Sequence, residues 1–264
     1  MDKVFNPGVN PFAGMHVPIQ RQVPQISDAV RQLLAQPLEA FKPANVSVKP
    51  STEPVTYANL ILDESGSMSR HRLAALEGYN SQVTVIKAGA KDAGKTLVSF
   101  TKFSNQARPV LVAQPAEQLK ELAASEYAPG GGTALFDSIG LTIEQLLEQA
   151  DIHAPTTAVL VSVFTDGEEN SSVRYNSETL KQLISRLEAT GRWTFTLMGP
   201  QGSSLALADI LNISRGNVAM FDPGNHESTR DAFQTMTVAA SSYMEMRSKG
   251  GTSSASLYSD LEPK

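Results

Sequence analysis

Along the middle of the chain, short unbroken apolar runs alternate with stripes of apolar residues three and four positions apart. The first run, Tyr57 to Leu62, predicts a strand ending in the polar turn Asp63-Glu64-Ser65-Gly66-Ser67. Leu73, Leu76, Val83 and Ile86 then fall at helical spacing, and Gly89 and Gly94 bracket the helix end before a strand at Thr96 to Phe103. A short strand, Pro109 to Ala113, leads past Pro115 into a predicted helix from Ala116 to Ala124. The loop Pro129-Gly130-Gly131-Gly132-Thr133 opens a helix striped by Leu135, Ile139, Ile143, Leu146 and Leu147. Thr157 to Thr165 is nearly all β-branched or apolar, as a strand buried on both faces requires, and it ends in Asp166-Gly167. Helix near Ser177 to Thr190, strand Trp193 to Met198, helix near Leu205 to Ile213, strand Val218 to Phe221 and helix near Ser228 to Arg247 complete the series. Such alternation predicts an α/β fold: a doubly wound, mainly parallel central sheet with helices on both faces. Ligands of these sheets collect beyond the carboxyl ends of the strands, where Asp63 and Asp166 both fall.

The flanks have a different texture. Residues 1–54 hold eight of the 15 prolines and read as a proline-rich arm preceding a domain over 55–248. Within the arm, Ser27 caps a short predicted helix reaching about Phe41, with Val30, Leu33, Leu34, Leu38 and Phe41 roughly on one face and Pro37 kinking or ending it. That face either packs on its own domain or serves a partner. Residues 249–264, rich in Ser and Gly, read as a flexible tail.

Composition narrows the function. A net charge of −5 gives no general reason to expect nucleic-acid binding, since phosphate-binding surfaces are usually basic. No cysteine is present, which removes disulfides, thiolate chemistry and cysteine-bound zinc and suits a reducing compartment. No basic leader precedes an apolar run, and no stretch approaches the roughly 18 apolar residues of a membrane helix, so the expectation is a soluble, cytoplasmic protein without a membrane partner. His16, His71, His153 and His226 show no metal-ligand spacing and read as surface residues.

Three separated segments place small oxygen-bearing side chains on loops at that end of the sheet: Asp63-Glu64-Ser65-Gly66-Ser67, Gly132-Thr133 and Asp166-Gly167. Singly, each is an ordinary cap or turn. Their order, spacing and placement after strands resemble the metal-ion-dependent adhesion site of von Willebrand factor A domains, over about residues 56 to 247. The resemblance implies an intracellular module of bacterial or phage type that binds a protein partner through a divalent cation, Mg2+ or Mn2+, held by Asp63, Ser65, Ser67, Thr133 and Asp166. It further implies that Ser65 and Ser67 touch the ion directly, Thr133 directly or through water, and Asp63 and Asp166 mainly through water, leaving a position for a partner's Asp or Glu. Relatives include stand-alone modules and partners of ring-shaped ATPases, so an ATPase ring is among the implied partners. In animal members, a change at the metal is linked to displacement of the last helix. Magnesium suits the donor set, being a hard ion that takes octahedral oxygen ligation. Glu64, Glu168 and Glu169 read as a solvated acidic rim, and Asp137 as either a loop-orienting acid or a helix-dipole residue.

Two other functions are compatible with the sequence. One is a magnesium-dependent hydrolase of phosphate esters, although no Gly-x-Ser-x-Gly, His-Glu-x-x-His or Gly-x-x-x-x-Gly-Lys motif occurs, and the chain is expected not to be an enzyme. The other is an assembly protein laced together by the arm and tail.

Overall fold

The computed structural model describes residues 25–42, 53–166 and 169–258. Six strands form one sheet: β1 (Val55–Asp63), β2 (Lys95–Phe103), β3 (Ala107–Pro115), β4 (Ala158–Phe164), β5 (Trp193–Pro200) and β6 (Val218–Phe221). Their spatial order is β3-β2-β1-β4-β5-β6, all pairs parallel except β2 with β3. The order reverses between β1 and β4, the switch point at which an open α/β sheet leaves a crevice. Every residue of β1, β4 and β5 is buried, which fits strands made mostly of apolar and β-branched residues.

Among the described residues, six helices cover the sheet: α1 (Asp28–Ala35), α2 (Arg72–Gly89), α3 (Leu135–Leu147), α4 (Ser177–Ala189), α5 (Ser204–Leu211) and α6 (His226–Ser248). One core layer joins α1, α3, α4 and α5 to a sheet face through residues such as Ile139, Leu183, Val161 and Phe195. The other joins α2 and α6 to the opposite face through Val83, Phe164, Phe233 and Met236. The predicted doubly wound architecture is therefore present. Helices α2 and α6 approach closely because α2 carries glycines at the contact. A methyl at Gly78 would lie 1.8 Å from Phe233 Cδ1, and one at Gly89 2.5 Å from Met244 Cβ.

The expected N-terminal helix forms, and it packs on its own domain. Ser27 Oγ caps it by accepting from Val30 N, and it ends before Pro37, beyond which Leu38–Phe41 make one 3-10 turn. Val30 and Leu33 enter the core, Ser27 N donates to Glu144 Oε1, and Arg186 Nη2 donates to Leu34 O. The remaining arm residues, 1–24 and 43–52, lie outside the described residues.

Three expectations are corrected. The helix predicted over Ala116 to Ala124 is absent; two 3-10 turns, Ala116–Gln118 and Ala124–Glu126, flank an extended stretch. Side chains of α2 hold the backbone groups that a helix there would use internally: Asn80 bonds both Leu122 N and Leu122 O, Tyr79 Oη donates to Lys120 O, and Lys87 Nζ to Leu119 O. Leu73, placed on the apolar face of α2 by spacing, is 68% exposed. The tail, expected to be flexible from residue 249, is ordered through Tyr258. Ser254 N donates to Thr194 Oγ1, Leu257 N to Asn217 Oδ1 and Tyr258 N to Gly216 O, while Leu257 and Tyr258 are buried. Two apolar side chains among small polar ones suffice to dock a segment whose backbone finds partners. Residues 259–264 lie outside the described residues.

Candidate functional site

The parallel pairing of β1 with β4 brings their carboxyl ends side by side, with Leu62 opposite Phe164. Asp63, the last residue of β1, is fully buried. Its Oδ1 accepts from Ser65 N at 2.7 Å, a local turn bond, and its Oδ2 accepts from Thr165 Oγ1 at 2.7 Å, just beyond β4. The chain turns so that Ser65 Oγ and Ser67 Oγ lie 3.2 Å apart, and Ser67 Oγ donates to Asp166 Oδ1 at 2.8 Å. Asp63, Ser65, Ser67 and Asp166 are thus linked by hydrogen bonds.

Thr133 arrives by backbone rather than side-chain contact. Gly66 N donates to Gly131 O (3.0 Å) and Gly130 N to Glu64 O (2.9 Å), which lays the glycine loop against the β1 turn. Gly131 adopts φ +83°, a conformation that favours glycine. Asn170 Oδ1 accepts from Thr133 N (2.8 Å), and Asn105 Oδ1 accepts from Gly132 N (2.6 Å). In the sequence, Asn105 and Asn170 carry only the general signal of turn-forming loop amides.

The electrostatics are unbalanced. The Asp166 side chain is 3% exposed, and its Oδ2 has no hydrogen-bond partner. Its nearest cation, Arg70 Nη2, stands 3.9 Å away, beyond hydrogen-bond reach. Burial pushes the Asp63 carboxyl up to about 6, with the charge of Asp166 adding to the rise while the bonds from Ser65 and Thr165 oppose it. Two desolvated carboxylates therefore share a pocket with three hydroxyl-bearing residues and no bonded counter-charge. The fit to a hard divalent ion rests on this: every donor is oxygen, and the carboxylate that bonds Ser67 through one oxygen leaves its other oxygen without a hydrogen-bond partner. Among the described residues, no group of three or more His, Asp or Glu stands ready to hold a metal. Hydroxyls complete the candidate set.

The flanking acids differ from the expected solvated rim. Glu64 is buried and pairs with Arg108 and, at 3.1 Å, with Lys102 Nζ, while accepting from Ala128 N. Glu169 accepts from Phe136 N, Ser171 N and Ser172 N, stitching its loop to α3. Asp137 takes the loop-orienting role, accepting from Val173 N, Arg174 N and Tyr175 N. Glu168, like Gly167, lies outside the described residues. His71, expected at the surface, is 2% exposed. Its ring meets Phe221 edge-on at 5.0 Å, both ring nitrogens lack partners, and burial lowers its basicity. It serves as an aromatic packing residue under the site.

A doubly wound sheet with an oxygen-lined loop cluster at its switch point defines a class of ligand-binding α/β domains. The family model of the von Willebrand factor type A domain matches residues 59–243, and the chain belongs to that family. Among solved structures, a von Willebrand factor type A protein from Catenulispora acidiphila is 18% identical with a TM-score of 0.50, the match covering 71% of this chain and 43% of that one. Proximal thread matrix protein 1 of the mussel byssus is 16% identical with a TM-score of 0.50, covering 72% of this chain and 46% of that one. The chain spans less than half the length of these solved structures, and the likeness is one of fold. No curated protein matches. Domains of this family generally mediate protein–protein interaction, often with a metal. Among the described residues, no helix is long and apolar enough to cross a membrane.

Proposed function

We propose that the chain is a metal-dependent protein-binding module that captures a partner's Asp or Glu through a divalent cation, magnesium or manganese, at Asp63, Ser65, Ser67, Thr133 and Asp166. The observation that carries this reading is the buried, unpartnered Asp166 Oδ2 beside the Ser65–Ser67 hydroxyl pair. A buried carboxylate oxygen without a partner is costly, and a cation removes that cost. When bound, the ion supplies an electrophilic position for an incoming carboxylate. The protein's own contribution is orientation: Asp63 fixes the turn through Ser65 N and Thr165, Ser67 is held by Asp166, and the glycine loop presents Thr133. In this reading the module binds without turnover, works in the cytoplasm, takes a protein such as a ring-shaped ATPase as partner, and engages neither nucleic acid nor membrane. Isothermal titration of metal-free protein with MgCl2 and MnCl2 tests it. One site is expected, and no uptake of either ion at millimolar concentration removes the proposal.

A further inference from the structure

Immediately beside the candidate cation site lies a recess of about 510 Å³ whose lining includes Arg70, Arg72, Leu73, Glu77, His226 and Arg230. It is built where the turn after Ser67 and the start of α2 meet the start of α6. Three arginines and a histidine line the recess with a single acid, Glu77, on a chain whose net charge is −5. The local charge is opposite in sign to the whole. The acids nearest Arg70 and Arg230 stand at the outer limit of ion-pair distance, beyond hydrogen-bond reach. Arg70 is 60% exposed and approaches only Asp166, at 3.9 Å; Arg230 is 72% exposed and stands 3.8 Å from Glu77. Arg72 donates to Tyr127 O and Ala124 O, bonds that fix its position but leave its charge without an acid. Leu73, 68% exposed beside them, adds an apolar contact of the kind a peptide side chain uses.

We propose that this recess is the second half of the partner-binding surface: it selects a polyacidic peptide segment, one of whose carboxylates goes to the cation while others seat on Arg70 and Arg230. The inference rests on the cation reading above and deepens it by giving the partner's chemistry. Guanidinium groups match carboxylates geometrically as well as by charge, and exposed ones act mainly on selectivity and encounter rate. A nucleic acid is disfavoured as the occupant because the remaining surface carries the net negative charge.

The test uses two fluorescein-labelled peptides, hexaglutamate and a companion with one Glu and five Gln, titrated with the full chain in magnesium buffer by anisotropy. Hexaglutamate is expected to bind about tenfold more tightly. Arg230→Gln should cut that advantage about three- to fivefold without changing magnesium uptake by calorimetry, and Arg70→Gln with Arg230→Gln should erase it. Thermal melts establish that both variants are folded, as the exposure of these side chains predicts. Equal affinity of the two peptides for the wild-type protein overturns the proposal. So does an advantage that survives in the folded double variant, or displacement of hexaglutamate by an oligothymidylate at a lower concentration than unlabelled hexaglutamate requires. Magnesium uptake with equal peptide affinities sinks the recess and leaves the cation reading standing. An arginine-dependent preference that persists in EDTA, with no magnesium uptake, supports the recess and sinks the cation reading.

Discussion

At the amino ends of the strands the domain buries Arg247; at the carboxyl ends it buries Asp63 and the side chain of Asp166. The guanidinium donates from Nε to Thr56 Oγ1 (2.9 Å), from Nη2 to Thr156 O (2.9 Å) and Val55 O (3.2 Å), and from Nη1 to Gly251 O. All three of its nitrogens are in use, though no carboxylate is among its partners, and burial holds its pKa below the ordinary arginine value. Asp166 Oδ2, by contrast, has no partner. Both ends carry the desolvation cost of a charge, and they differ in completeness of pairing. A fully bonded buried charge welds α6 to β1 and to the loop that precedes β4. An incompletely bonded one leaves bonding capacity for something outside the chain.

Substitutions can break this contrast, and their effects on stability should descend in order. Val159→Asp places an unpaired charge in the strand that both ends share, where Val159 is wholly buried, and should cost more than about 4 kcal/mol, read as loss of the cooperative melt. Arg247→Met strips donors from four acceptors and should cost about 3 kcal/mol in denaturant titration, with magnesium uptake unchanged. Asp63→Ala should cost about 2 kcal/mol, because Ser65 N and Thr165 Oγ1 each lose an acceptor, and should also abolish magnesium uptake. The stability cost follows from burial: Asp63, which the sequence reads only as part of a polar turn, is a turn-forming residue of the core.

A fourth effect depends on pH. Burial pushes Glu188, on the last turn of α4, up to about 7 despite a bond from the Phe195 backbone. Its native form holds the proton more tightly than the unfolded chain, so this group's contribution to stability is greatest below about pH 4.5 and is lost as pH rises through 7. Glu188→Gln should flatten melting temperature against pH and raise stability at pH 8 by on the order of 1–2 kcal/mol, allowing for its partial exposure. The smallest change in stability, within about 1 kcal/mol, is expected of Asp166→Asn, which removes a poorly paired charge. Magnesium affinity should nevertheless fall at least about tenfold in the same variant. Equal losses of stability in Asp166→Asn and Arg247→Met would erase the distinction between the two ends.

Features set by local signals are legible in the sequence, and features that depend on a partner far along the chain are not. The buried strands are legible as largely apolar runs, and Asp63, Ser65, Ser67 and Asp166, pointed to by resemblance to a family motif, are joined by hydrogen bonds. Glu64 looked like rim because its cations, Lys102 and Arg108, belong to β2 and β3. His71 looked exposed because nothing in its neighbourhood of sequence shows that Phe221 covers it. Helical propensity over Ala116 to Ala124 lost to the bonds from Tyr79, Asn80 and Lys87. Composition reads the tail as flexible because it registers many small polar residues and gives little weight to two apolar ones, Leu257 and Tyr258, whose burial anchors it.

The glycine contacts between α2 and α6 set a phase. Phe233 meets Gly78 and Met244 meets Gly89, and each pair of positions along its own helix is 11 residues apart, about three turns. Two keys therefore sit in two notches with the same repeat. A shift of α6 by one turn, about 5.4 Å, lifts both keys together and presents Thr229 and Ala240, or side chains a turn the other way, to the glycines. Intermediate displacements hold an aromatic ring and a methionine against a backbone with no room for either. The register of this helix along α2 is thus locked at two glycines of α2, Gly78 and Gly89, which are not among the candidate cation-site residues.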